Sequence, residues 1–307
     1  MRSTAQPNFG MRLLRVAFLA LAIAAGTNGF AQKTTGAAAV GRDAAKASES
    51  KARLTFAINE GAAGNADFAE IQFRYQDFSD AMEKALGMPV GIVSARNRDR
   101  LQENLKSGAY HLLLSRPNDV PAQAVRDFGY HPLATAKEPY QTLFIVWKDS
   151  TLKKIADVKG RTIVTPDQYS NMWRAAKAML REANIDMSRE RVKSMRDQAA
   201  IGWSLENGFY DVGVVNSASA VGRSWEKNGG RIIARSRDQI NMPFIASPQL
   251  SAAQITRLRT AVLALDSSDA GRAILKRIGL PGGFKQTPRE DFLDFLKWLG
   301  EDVRPPV

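Results

Sequence analysis

The chain has 307 residues, no cysteine, two histidines and a formal net charge of +12. Without cysteine there is neither a disulfide framework nor a thiolate metal site. A zinc site or a Ser-His-Asp triad would have to draw on His111 and His131 alone, and both are expected to be partly buried structural residues. With 44% hydrophobic and 24% charged residues, the chain suits a soluble globular protein of one large or two medium domains.

Residues 1–31 read as a signal peptide. Arg12 and Arg15 precede the apolar run Val16 to Ala25, which is too short to span a bilayer but fits a signal-peptide core. Gly29 and Ala31 supply the small residues of a cleavage site, so the mature chain is expected to start at Gln32. Removing Arg2, Arg12 and Arg15 lowers the net charge by three. The remaining basic residues are dispersed among carboxylates, as in RNRDRLQENLK, which argues against a nucleic-acid partner. Residues 32–52 are rich in Ala, Gly, Ser and Lys and are expected to form a flexible tether.

From Arg53 the pattern alternates. Strands are expected at 54–58, 89–94 and 110–115, with helices at about 73–86, 99–106 and 122–128. Tyr75, Phe78, Met82 and Leu86 form the buried face of the first helix, which Gly87 stops. Extended segments at 130–136 and 142–147 flank 137–141, and a short helix at 152–158 ends at Gly160. A second series follows, with strands at 161–165, 192–195, 211–215 and 231–234. Its helices are expected from Ser170 to Ala183, at 198–206 and at 219–227. Met172, Ala176, Met179 and Ala183 share one face of the Ser170 helix, and Ser170 suits its N-cap. After Asn241-Met242-Pro243 come a strand at 244–246 and three helices. Two of these open with capping boxes, Ser251 to Gln254 and Thr287 to Glu290, the latter with Pro288 at the first helical position. No repeat of 20–50 residues is visible.

Strands alternating with helices imply an α/β fold with βαβ units. Linkers near 137–141 and 236–242 suggest one lobe interrupted by another, with a ligand at the carboxyl ends of the strands. Those ends carry Asn59-Glu60, Ser115-Arg116, Pro166 to Asn171, Arg196 to Gln198 and Asn216-Ser217. They hold amide, hydroxyl and guanidinium groups but no nucleophile paired with a base, so no catalytic residue is assigned. A strand running into the Ser170 helix aims free N–H groups at its loop, a ready anion site. Arg116 has two readings, a bidentate anion ligand or an ion pair with Asp119. Glu60 either turns to solvent or accepts a proton from an acid such as a hydrogen-phosphonate.

The stretches GRTIVTPDQYSNMWRAAKAML (Gly160 to Leu180), ENGFYDVGVVNSAS (Glu206 to Ser219) and LQENLKSGAYHLLLSRPNDV (Leu101 to Val120) resemble the substrate-binding proteins of phosphate, phosphite and phosphonate ABC transporters. The order of elements agrees from about Arg53 to Leu299. The resemblance implies a two-lobed type II periplasmic-binding fold, each lobe a mixed sheet flanked by helices. Lobe I would comprise 53–136 and 242–307, and lobe II 137–241. It implies a periplasmic, monomeric, non-enzymatic receptor without cofactor or metal. Such a receptor takes a small oxyanion between the lobes and delivers it to an inner-membrane permease. The alternative is a periplasmic sensor or accessory protein that presents the ligand to a signalling partner. The ligand set is expected from Asn59, Tyr75, Ser115, Arg116, Gln168, Tyr169, Ser170, Asn171, Gln198 and Asn216. The family's Ser/Thr-rich turn corresponds here to Gln168-Tyr169-Ser170-Asn171. Gln198 stands where a histidine is common, and Asn216 where a carboxylate is common. The missing carboxylate tells against an aminoalkyl phosphonate. Asn171→Asp is expected to leave folding unharmed and to weaken anion binding.

Overall fold

The structure is a computed structural model that describes residues 53–61 and 67–301. The expected leader, cleavage site and tether lie outside the described residues. The first series runs β1 (Leu54–Glu60), α1 (Phe68–Leu86), β2 (Val90–Ser94), α2 (Arg98–Lys106), β3 (Leu112–Arg116), α3 (Asp119–Asp127) and β4 (His131–Ala136). The second runs β5 (Thr142–Val146), β6 (Thr162–Thr165), α4 (Asn171–Glu182), β7 (Arg191–Ser194), α5 (Gln198–Glu206), β8 (Val212–Asn216), α6 (Ala220–Ser224) and β9 (Arg231–Arg235). The chain closes with β10 (Phe244–Ala246), α7 (Ala252–Leu263), α8 (Asp269–Arg277), β11 (Phe284–Lys285) and α9 (Arg289–Leu299).

Two mixed sheets result, with strand orders β11-β4-β10-β3-β1-β2 and β7-β6-β8-β5-β9. In the first, β1 pairs in parallel with β2 and β3, while β10 runs antiparallel between β3 and β4. In the second, β6 pairs in parallel with β7 and β8, and β5 runs antiparallel to β8 and β9. β3 is apolar from Leu112 to Leu114 and buried on both faces as far as Ser115, as expected of a central strand under helices.

One face of the first sheet packs on α1, α7 and α8, where Phe56, Phe78, Phe244 and Phe284 meet with ring centroids 5.4–5.8 Å apart. Each such ring contributes roughly 1.5–3 kcal/mol by burial. The other face joins α2, α3, α9, α4 and one face of the second sheet in a single core. The C-terminal helix α9 packs on both α3 and α4. The guanidinium of Arg181 donates to the carbonyls of Trp298 and Leu299, and the Trp298 indole donates to Glu182 at 2.9 Å.

Several local expectations change. α1 starts at Phe68, not near Phe73, because the Asp67 carboxylate accepts from the Glu70 amide and caps the helix earlier. The segment 152–158 holds only a 3₁₀ turn at Ile155–Val158, and α6 stops at Ser224. The Thr287 box does not form: Pro288 is the N-cap, no side chain caps α9, and the Thr287 hydroxyl is bonded to that of Thr135 at 2.7 Å. His111 fits the structural reading, its Nδ1 accepting from the Thr55 amide at 3.1 Å, whereas His131 is exposed at the start of β4. On α4 the buried stripe is Ala175, Ala176, Ala178, Met179 and Leu180; Met172 and Ala183 are only partly buried.

Candidate functional site

Parallel strands in both sheets end in polar residues. At the end of β1, Asn59 Oδ1 accepts from the Gly61 amide at 2.8 Å. Gly61 has φ +77°, and a Cβ there would stand 3.3 Å from the Arg116 carbonyl. Only glycine combines that conformation with so close a pass. Glu60 and Arg116 are thereby held as register partners on β1 and β3. The buried Ser115 hydroxyl faces the Pro117 carbonyl at 3.4 Å, and the Arg116–Pro117 peptide is cis.

Glu60 does not turn to solvent. Its Oε1 accepts from Arg74 at 2.7 Å and from the Tyr75 hydroxyl at 2.9 Å. Its charge is therefore met by Arg74. Burial and the nearby Glu60 charge push the Tyr75 phenol well above the usual tyrosine range, and Arg116 acts against them. Arg116 also faces Tyr140, whose phenol is raised by burial and drawn back by Arg116 and by the Asn171 amide. The Arg116 Nε is buried without a hydrogen-bond partner. The ion pair considered between Arg116 and Asp119 does not form. The fully buried Asp119 carboxylate is held by Arg98 and, at 3.4 Å, by Arg174, and Arg174 also contacts Glu301. A first-turn residue of α4 is thus ion-paired to the first turn of α3.

In the second series, Ser170 caps α4 by accepting from the Trp173 amide at 3.2 Å. The amides of Asn171 and Met172 belong to the helix's first turn, ahead of its first intrahelical bonds. Asn171 is buried, and its Nδ2 donates to Gln239 Oε1 at 2.6 Å. Gln239 Nε2 donates to Ser236 Oγ at 2.9 Å and to Thr142 Oγ1 at 3.2 Å. Farther along the sheet, Gln198 Oε1 accepts from the Asn216 amide at 2.8 Å, and Asn216 Oδ1 accepts from Ala218 at 2.7 Å. Gly222 makes this turn possible, because a Cβ there would come within 2.1 Å of the Asn216 carbonyl. Gln168 and Tyr169 are exposed on the loop before α4.

Of the sequence-derived residues, Arg116 is near enough to act electrostatically on Tyr75 and on Tyr140, and Asn171 neighbours Tyr140. Gln239, Ser236 and Asn118 were not singled out. Asn118 Nδ2 donates to the Ile240 carbonyl at 2.5 Å, which ties the start of α3 to the returning linker. These contacts span 68–122 residues of sequence, so no local spacing signals them. Among the described residues, no group of three or more His, Asp or Glu is placed to hold a metal, and no helix is long and apolar enough to cross a membrane.

A family model described as "ABC transporter, phosphonate, periplasmic substrate-binding protein" matches residues 62–292. No curated protein matches the chain. Among solved structures, XAC2383 from Xanthomonas citri bound to ATP is similar at 15% identity and a TM-score of 0.66, covering 81% of this chain and 98% of that one. PhnD1 from Prochlorococcus marinus in complex with methylphosphonate is similar at 14% identity and a TM-score of 0.60, with the same coverage. The binding-protein component of an ABC phosphonate transporter from Pseudomonas aeruginosa is similar at 15% identity and a TM-score of 0.60, covering 81% and 85%. At these identities the structures speak for the type II periplasmic-binding fold, and the family match for the class of protein. With its two mixed sheets and their polar strand ends, the chain belongs to the periplasmic substrate-binding protein family of phosphonate ABC transporters.

Proposed function

We propose that this protein captures a small oxyanion, such as a phosphonate, phosphite or phosphate, between two lobes built on the two sheets. The lobes are 53–136 with 242–307, and 137–241, and they close on the ligand by a hinge motion through the linkers. The closed monomer docks on its inner-membrane permease. Arg116 supplies the cation, and the first-turn amides of α4 with the Ser170 hydroxyl supply donors from the opposite side. Tyr75, Tyr140 and Asn171 fill the wall between them. Asn59 and Ser115 frame the Arg116 side, Gln198 and Asn216 frame the far side, and Gln168 and Tyr169 form the rim.

The observation that carries this reading is the state of Arg116. Its Nε is buried and unpartnered, while the nearby carboxylates are already met, Glu60 by Arg74 and Asp119 by Arg98 and Arg174. A buried guanidinium N–H without an acceptor is costly unless a ligand supplies one. A thermal-shift panel of phosphate, phosphite, methylphosphonate, aminoethylphosphonate, sulfonates and small carboxylates tests it. A bound oxyanion stabilises the folded state by about 2.7 kcal/mol at a hundredfold excess over its Kd. No shift with any oxyanion would overturn the reading.

A further inference from the structure

The orientation of the Asn171 carboxamide is set by a chain of hydrogen bonds whose far end cannot reverse. The Arg237 carbonyl can only accept, and the Ser236 hydroxyl donates to it at 2.7 Å. That uses the only proton of Ser236, whose oxygen accepts from the Thr142 amide at 3.0 Å and must accept again from Gln239. Gln239 therefore faces Ser236 with Nε2 and turns Oε1 toward Asn171. Asn171 answers with Nδ2, and its side chain also neighbours the Tyr140 hydroxyl. Oδ1 is left on the other branch of the carboxamide, buried and without a donor. Asn171 is 4% exposed, and Ser236 and Gln239 are 6% exposed, so water does not easily scramble the chain. Asn118 repeats the pattern: its Nδ2 donates to the Ile240 carbonyl, and its Oδ1 is likewise buried without a partner.

A native protein seldom strands a buried acceptor, and one beside a binding site calls for a donor on the ligand. The neighbouring hydroxyl of Tyr140 receives the Asn171 amide, and Arg116 supplies charge. Neither tells a singly protonated oxyanion from a fully ionised one of equal charge. We propose that Asn171 Oδ1, locked as an acceptor by the Arg237–Ser236–Gln239 chain, is the specificity element that selects oxyanions retaining a proton. A hydrogen-phosphonate or hydrogen-phosphite donates its P–O–H to Oδ1. A sulfonate has the same charge and shape but meets it with a lone pair. The inference rests on the oxyanion reading above and deepens it.

The test is calorimetric titration with methylphosphonate and methanesulfonate at about pH 5.5, below the second ionisation of a phosphate-type group. Both ligands then carry one negative charge. The parent protein should bind methylphosphonate at least about tenfold more tightly, in line with a lost hydrogen bond to a buried acceptor. In Gln239→Leu the carboxamide is free to turn Nδ2 toward the ligand, and the ratio should fall to within about threefold. Ser236→Ala unlocks the same chain and serves if Gln239→Leu does not fold. If neither variant folds, the parent ratio decides. Equal binding of the two ligands by the parent overturns this inference and leaves the oxyanion reading standing. An unchanged ratio in a folded variant overturns the role of the chain. Binding of neither ligand overturns both readings.

Discussion

Asn171→Asp changes one atom, and the structure reverses what the sequence suggests for its effect on folding. At a helix N-terminus an aspartate gains about 0.3–1 kcal/mol from the dipole. Asn171, however, is buried, and its Nδ2 is the donor to Gln239 Oε1 at 2.6 Å. Aspartate removes that donor and places a carboxylate oxygen against an amide oxygen that cannot turn away. A stranded buried acceptor costs about 1–3 kcal/mol, and the new charge adds a desolvation cost that the nearby Arg116 offsets in part. The net expectation is a loss of about 1–3 kcal/mol. For a chain of this size each kcal/mol lowers Tm by about 2–4 °C, so a fall of roughly 2–12 °C should appear by differential scanning calorimetry without ligand. An unchanged or raised Tm would refute the fixed hydrogen-bond chain.

Three further outcomes follow from the same geometry. Asp119→Asn should cost about 2–4 kcal/mol in urea unfolding, because it leaves Arg98 and Arg174 partly buried around a neutral group; a loss below about 0.5 kcal/mol would place that pair in the surface class. Ser170→Ala should cost about 1 kcal/mol from the lost cap and should also weaken oxyanion binding; unchanged affinity in calorimetry would remove its hydroxyl from the site. Burial holds the His111 imidazole below its usual pKa, and its Nδ1 accepts from Thr55. The unfolded chain therefore binds the proton more readily. The His111 contribution is complete above about pH 6.5, the unfolded value, and is lost as pH falls toward and below its lower folded value. In His111→Asn this part of the pH dependence should vanish from Tm measured between about pH 7.5 and pH 5.

Much of the fold was legible because it is written locally. The continuous apolar run of β3, the Ser170 and Ser251 caps and the Gly87 stop each act within a few residues, and each appears in the structure. The Thr287 box failed because Thr135, 152 residues away, claims its hydroxyl. The start of α1 was read from an aromatic face rather than from the Asp67 cap, and Phe73 is in fact exposed. Within the site, the polar strand ends drew attention to Arg116 and Asn171 through residue type and position, and Tyr75 stood out only as an aromatic residue on the first helix. Gln239 and Ser236 sit in an irregular segment between β9 and β10, where neither period nor motif marks a residue. Their importance comes from partners brought in by the sheet topology. The same holds for Glu60, whose neutralisation by Arg74 depends on how α1 lies over the end of β1.

The most direct test of the account is calorimetric titration of methylphosphonate into the mature protein and into Arg116→Gln. The account predicts one-to-one binding by the parent and a loss of at least about tenfold in the variant, since a hydrogen bond to a charged partner contributes about 1.5–3 kcal/mol. The ligand-free Tm of the variant should be equal to or above that of the parent, because the buried, unpartnered Nε–H is gone. Equal affinity in the two proteins would contradict the assignment of Arg116 as the cation that holds the ligand.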